Sequence, residues 1–179
     1  MTLKLVFPNE EHEQEWKDII QEMEEAGEKI VPYALKGDAV KYEDYLENAR
    51  RYSTGVGIPK DRVPSGIFFL VNEGDKRILG AIDIRYELND YLLKYGGHIG
   101  YGIRPKERKN GYATEMLKLA LDICREKGLK KVLITCDKNN LGSAKTMVNN
   151  GAILENEVEN GEEITQRYWI ELYQSCISE

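Results

Sequence analysis

Apolar residues along the chain recur with two different spacings, and each spacing predicts its own elements. Trp16, Ile19, Ile20 and Met23 follow a helical stripe inside an acidic run, predicting a helix from Glu10 to about Ala26 that ends at Gly27. Glu10, Glu11, Glu13 and Glu15 favour its positive N-terminal end. Val40, Tyr42, Tyr45, Leu46 and Ala49 predict a second helix to about Arg51, with rings suited either to a core or to the wall of a pocket. Ala113, Met116, Leu117, Ala120, Leu121 and Cys124 predict a third, which starts near Gly111 and is stopped by Gly128.

Shorter apolar or alternating runs predict strands at 3–7, 67–71, 78–86, 98–103 and 131–136, with a terminal hairpin of 152–158 and 164–172 around Asn160-Gly161. Gly74-Asp75 turns the second of these strands into the third. Between Ser53 and Gly66, two prolines and several glycines predict a surface loop, the kind of segment that often carries specificity. Residues 89–95 predict a short helix leaving through Gly96-Gly97. Asp83 alternates with Ile82 and Ile84, an arrangement that turns it toward water. Gly100 and Gly102 weaken their strand as a plain ladder and predict a bulge or the close approach of a ligand.

Composition narrows the class. A chain of 179 residues suits a single domain spanning 1–179, and 41% hydrophobic with 31% charged residues is ordinary for a soluble globular protein. No apolar run approaches a membrane span and no secretory signal is visible, so the expected location is cytoplasmic, without a membrane partner. Cys124, Cys136 and Cys176 are odd in number and lack metal-type spacing, which argues against a disulfide framework and a metal site; Cys124 and Cys136 fall on apolar faces and read as core. A net charge of −6 disfavours nucleic acid as a partner.

Against that acidic background, Arg104 to Thr114 forms a basic loop running from a strand into a helix. The first turn of a helix has N–H groups without intrahelical partners and the positive end of the macrodipole, so it suits a phosphate. Arg108 and Lys109 add formal charge, Gly111 lets an anion approach the backbone, and Ala113 keeps the next step open.

Arg108-Lys109-Asn110-Gly111-Tyr112-Ala113 has the form Arg/Gln-x-x-Gly-x-Gly/Ala and resembles the acetyl-CoA pyrophosphate loop of the GNAT superfamily of N-acetyltransferases. Ile103-Arg104-Pro105 resembles the end of the strand before that loop, and Asn140, Ser143 and Gly151 resemble the family's second strand-Asn-x-x-Ala/Ser-helix-Gly segment. The two motifs stand in the family's order, and the resemblance is strongest from Ile78 to Leu172. It implies an α/β (α+β) fold with a mixed, mostly antiparallel sheet of six or seven strands flanked by helices, splayed where the pantetheine arm enters. It implies acetyl-CoA as co-substrate, held by Ile103, Arg108, Lys109, Asn110, Gly111, Tyr112, Ala113, Thr114, Asn140 and Ser143.

The implied reaction moves the acetyl group to a primary amine of a small molecule or peptide by direct attack in a ternary complex. An amine of pKa about 10.4 is protonated at neutral pH, and removing the proton costs about 4–5 kcal/mol at pH 7. A side-chain base meets that cost. His98 and Asp83, on strands expected to flank the cleft, are the leading catalytic candidates, followed by Glu87 and Asp137. A strand-end histidine satisfied by backbone is the competing reading of His98. Many family members place a tyrosine acid where this chain has Met147, so no hydroxyl is expected there. That departure keeps open a non-catalytic acetyl-CoA-binding sensor, or an interaction domain using the Tyr-rich N-terminal half. A homodimer is compatible with any of these.

Overall fold

The computed structural model describes residues 2–173, so Cys176 lies outside them. Seven strands form one sheet: β1 (Leu3–Val6), β2 (Ser65–Asn72), β3 (Ile78–Arg85), β4 (Ile99–Ile103), β5 (Lys131–Asp137), β6 (Ile153–Asn160) and β7 (Glu163–Glu171). They lie side by side in the order β1-β2-β3-β4-β5-β7-β6. All neighbours are antiparallel except β4 and β5. Parallel neighbours need a crossover, and the helix α3 (Tyr112–Glu126) supplies it. The mixed, mostly antiparallel sheet flanked by helices is the one the resemblance implied.

Each face of the sheet has its own core. Ile82, Ile84, Ile99 and Leu70 pack against Met116, Leu117 and Ala120 of α3 and Met147 of α4 (Leu141–Asn149). The other face carries Ile67, Phe69, Val71 and Ala81 against α1 (Glu13–Glu25) and α2 (Tyr42–Thr54), through Trp16, Ile19, Met23, Tyr45 and Leu46. Side chains of this size contribute about 1.5–3 kcal/mol each when fully buried. The helix stripes in the sequence therefore mark these two layers. Helix α2 runs to Thr54, beyond the expected boundary, and Gly55 ends it at φ 73°. The short helix expected at 89–95 is a single π-helical turn at Leu92–Gly96.

Two expectations about strands change. β4 pairs with β3 in unbroken register from Gly80↔Ile103 to Ile84↔Ile99, so it carries no bulge there. The close approach at its glycines comes from the chain itself: a Cβ on Gly102 would stand 2.3 Å from the Val31 carbonyl oxygen, and one on Gly100 would stand 3.6 Å from Pro32 Cβ. The splay is present. Among the described residues β4 and β5 are in register at Ile99↔Ile134 and part beyond it.

Candidate active site

The loop from Ile103 to α3 is built around two left-handed residues, Lys109 at φ 65° and Gly111 at φ 79°. Gly111 is the N-cap of α3, and no side chain caps that helix. A Cβ built on Gly111 would meet no atom within 4 Å, so the approach to the first turn is open. An uncapped helix end with open space before it fits a pyrophosphate. Lys109 and Asn110 are exposed beside it, Tyr112, Ala113 and Thr114 are half-buried in the first turn, and Ile103 is buried at the strand's end. Asn110 Nδ2 donates to the Glu107 carbonyl at 3.1 Å and shapes the loop.

Arg108 is used differently from what its position suggested. Its guanidinium donates to both carboxylate oxygens of Glu28 at 2.7 and 2.5 Å, and Nε reaches the Ile103 carbonyl at 3.3 Å. Arg108 thus clasps the loop to the segment after α1 with its charge matched. Beside it, buried Arg104 pairs with Glu15 at 2.6 Å and Glu22 at 2.8 Å, tying the same loop to α1 itself.

The second motif stands at the open end of the β4–β5 splay. Asn140 Oδ1 accepts the Ser143 N–H at 3.1 Å and caps α4, which occupies one side of its amide. Ser143 Oγ lies 2.8 Å from the Tyr101 hydroxyl, so β4 and α4 are bridged across the gap. Burial pushes the Tyr101 phenol up to about 12, against the opposing Ser143 hydrogen bond. Met147 is fully buried in the core and offers nothing to the opening.

On the α1–α2 side of the sheet a cleft of about 1180 Å³ reaches from α2 to Gly100 of β4 and Thr135 of β5, where those strands part. Asp83 lines it. The strand alternation placed Asp83 correctly opposite Ile82 and Ile84, but that face is roofed by helices, and Asp83 is 4% exposed instead of facing water. Arg85 Nε holds its Oδ2 at 3.1 Å while Arg85 Nη1 is anchored on the Gly96 and Gly97 carbonyls. Asp83 Oδ1 has no hydrogen-bond partner among the described residues. Burial pushes this carboxyl above the usual carboxylate range, opposed by the Arg85 guanidinium and by the neighbouring Ser65 hydroxyl.

His98 is elsewhere. Its Nδ1 accepts the Leu133 N–H at 2.9 Å, its ring meets Trp169 edge-on, and it does not line the cleft. Burial, and then Arg85, bring its pKa down to about 4. Asp137 Oδ1 accepts the Asn139 N–H at 2.7 Å, and Glu87 is exposed. The arrangement therefore gathers the loop at the α3 end, Asn140, Ser143 and Tyr101 around the splay, and Asp83 in the cleft behind it. Sequence reasoning missed Glu28, which has no motif, and Arg85 as the support of Asp83. Tyr45, also on the cleft wall, was visible only as one ring of a helical stripe. Among the described residues no group of three acids, histidines or cysteines could hold a metal, and no helix is long and apolar enough to cross a membrane.

Comparison with known proteins agrees with this geometry. The family model described as an acetyltransferase (GNAT) domain matches residues 8–153. A comparison with curated protein sequences finds no match. Among solved structures, an acetyltransferase of Salmonella typhimurium that modifies the N-terminal serine of a 50S ribosomal subunit protein superposes with TM-score 0.69 at 14% identity, covering 97% of this chain and 96% of that one. RimJ of Mycobacterium smegmatis, in complex with a CoA-disulfide, gives 0.70 at 15% identity over 94% and 81% of the chains. A microcin self-immunity acetyltransferase, MccE, in complex with acetyl-CoA and AMP, gives 0.67 at 17% identity over 95% and 92%.

Proposed function

The chain belongs to the GNAT acetyltransferase domain family, and from that premise we propose that it transfers the acetyl group of acetyl-CoA to a primary amine received in the cleft beside Asp83. The open, uncapped first turn of α3 would hold the pyrophosphate, through the backbone of residues 109–114 with Lys109 nearby. Ile103 and the Asn140 amide nitrogen would flank the pantetheine arm where β4 and β5 part. When bound, the thioester supplies an acetyl carbon that forms a C–N bond to the amine as its C–S bond breaks and the thiol is released.

The chain's own residues supply the rest. Asp83 takes the ammonium proton, and its raised proton affinity suits that task better than an ordinary carboxylate. Arg85 holds one oxygen so that the other is aimed consistently. Tyr101 and Ser143 bring hydroxyls to the splay, a position from which a proton can return to the departing sulfur. His98 serves the sheet. The observation that carries the reading is the conjunction of the open cradle on one side of the splay with a buried, half-partnered carboxylate on the other. Both acceptor classes, a small amine and the amine of a peptide, fit a cleft of this size; the relatives' ribosomal-protein substrates favour the peptide.

The test is direct. Acetyl-CoA should raise the melting temperature, and an amine panel of small diamines and short peptides should release free thiol. A protein that gains no stability from acetyl-CoA and releases no thiol with any amine would overturn the proposal.

A further inference from the structure

Asp83 Oδ1 is not the only buried polar atom of the cleft wall without a partner. The Tyr45 hydroxyl is also buried and lacks any hydrogen bond among the described residues. Its ring is fixed by Trp16 at 5.1 Å and by a near-parallel stack on Phe69 at 6.3 Å, so the hydroxyl has a set direction. Tyr45 comes from α2 and Asp83 from β3, and both line the same cleft. They are near enough that the carboxylate adds to the burial that holds the phenol neutral. Buried polar groups are nearly always satisfied, so two orphans on residues that line one cavity from different elements mark a place where a ligand completes the hydrogen bonding.

We propose that Tyr45 and Asp83 together form the end-stop for the acceptor nitrogen, which donates one N–H to Asp83 Oδ1 and another to the Tyr45 hydroxyl oxygen. The inference rests on the transfer reading only for its purpose; the site itself is an ammonium site. Both atoms are buried in the free protein, so the nitrogen reaches them by way of the cleft that their residues line. An acceptor with two N–H bonds to give, a primary amine, satisfies both atoms. After its proton passes to Asp83, the remaining N–H on Tyr45 keeps the nitrogen in place. Tyr45 is a positioning residue in this scheme and Asp83 the base. An alcohol can donate its O–H to Asp83 and accept from the Tyr45 hydroxyl, but it brings no positive charge to the buried carboxylate.

Ethylammonium is the probe, followed by NMR of carbon-labelled tyrosine in the full chain. A saturable shift of the Tyr45 ring signal is expected, absent with tetramethylammonium, which has no N–H. Binding should weaken at least about tenfold in Tyr45→Phe and in Asp83→Asn. Tyr45→Phe should fold with an unchanged or higher melting temperature, because it removes a hydroxyl that holds no bond in the free protein. With any amine that releases thiol, the same variant should raise KM more than it lowers kcat. Equal ethylammonium binding by Tyr45→Phe and wild type, or a site that holds an ordered water and excludes the probe, would overturn the inference. Acetyl transfer that persists without ethylammonium binding would overturn it while sparing the transfer reading. Ethylammonium binding without thiol release would support the ammonium site and count against transfer alone.

Discussion

The imidazole of His98 accepts the backbone N–H of Leu133 at 2.9 Å, while the Leu133 carbonyl accepts the N–H of His98 at 2.7 Å. One residue thus supplies both rungs at the point from which β4 and β5 diverge. A ring nitrogen used as an acceptor must stay unprotonated, and burial enforces that by lowering its pKa from 6.5 to about 4.

The first prediction follows from the sign of that shift. An imidazole kept neutral in the folded state binds its proton more readily when unfolded. Its contribution is fully present above pH 6.5 and is lost as the pH falls toward about 4. The loss amounts to roughly 2–3 kcal/mol. Urea titrations between pH 7 and 4 should show it, and His98→Gln should flatten that part of the profile at lower overall stability. An unaltered acid limb in the variant would remove His98 as its source.

Gly111→Glu should abolish the thermal shift given by acetyl-CoA, because a carboxylate would enter the open space in front of α3 and repel the phosphates. Gly111→Ala is the control. It places a side chain at φ 79° at a cost of about 1 kcal/mol, yet adds only a methyl to open space and should keep the shift.

Asp83→Asn should lower kcat by about 10²–10⁴-fold while preserving acetyl-CoA binding. The wild-type pH profile of kcat/KM should rise with a midpoint above the ordinary carboxylate range, since burial raises this group. The variant should lose that limb. Retention of the limb would assign it to another base.

Glu28→Gln should tighten acetyl-CoA binding about two- to fivefold at low salt. It releases the Arg108 guanidinium, now matched by Glu28, to act on the neighbouring phosphates. The gain should fade with added salt, because both side chains are partly exposed to solvent. Calorimetric titration at two ionic strengths measures it.

Met147→Tyr should give no increase in turnover and should destabilise by about 1–3 kcal/mol, because the methionine is fully enclosed. Tyr101→Phe is the substitution expected to slow thiol release, because its hydroxyl stands with Ser143 at the splay.

Periodicity carried the fold a long way: the helix stripes of α1, α2 and α3 and every strand of the sheet fall where the spacing predicts them. The loop before α3 was legible because a glycine cap and a following stripe are local features. Only the water-facing reading of Asp83 fails, for a reason that is not local. Alternation tells which residues share a face, and only the docking of α1 and α2 tells that the other face is covered. The same limit hid the Arg108–Glu28 clasp, whose partners are 80 residues apart, and the enclosure of Met147. Met147, at the family's tyrosine position, is enclosed in the core, and His98, on a strand expected to flank the cleft, accepts the Leu133 N–H.

The segment at Val31 and Pro32 lies against β4 over Gly100 and Gly102, and it also walls the cleft. This segment and the strand beneath it are therefore a matched set. Transplanting residues 31–38 into another chain requires a glycine beneath the Val31 carbonyl, because a Cβ on Gly102 would stand 2.3 Å from its oxygen. Any side chain at Gly102 would push the segment at Val31 away from the strand. One wall of the cleft thus depends on a strand position that bears no side chain at all.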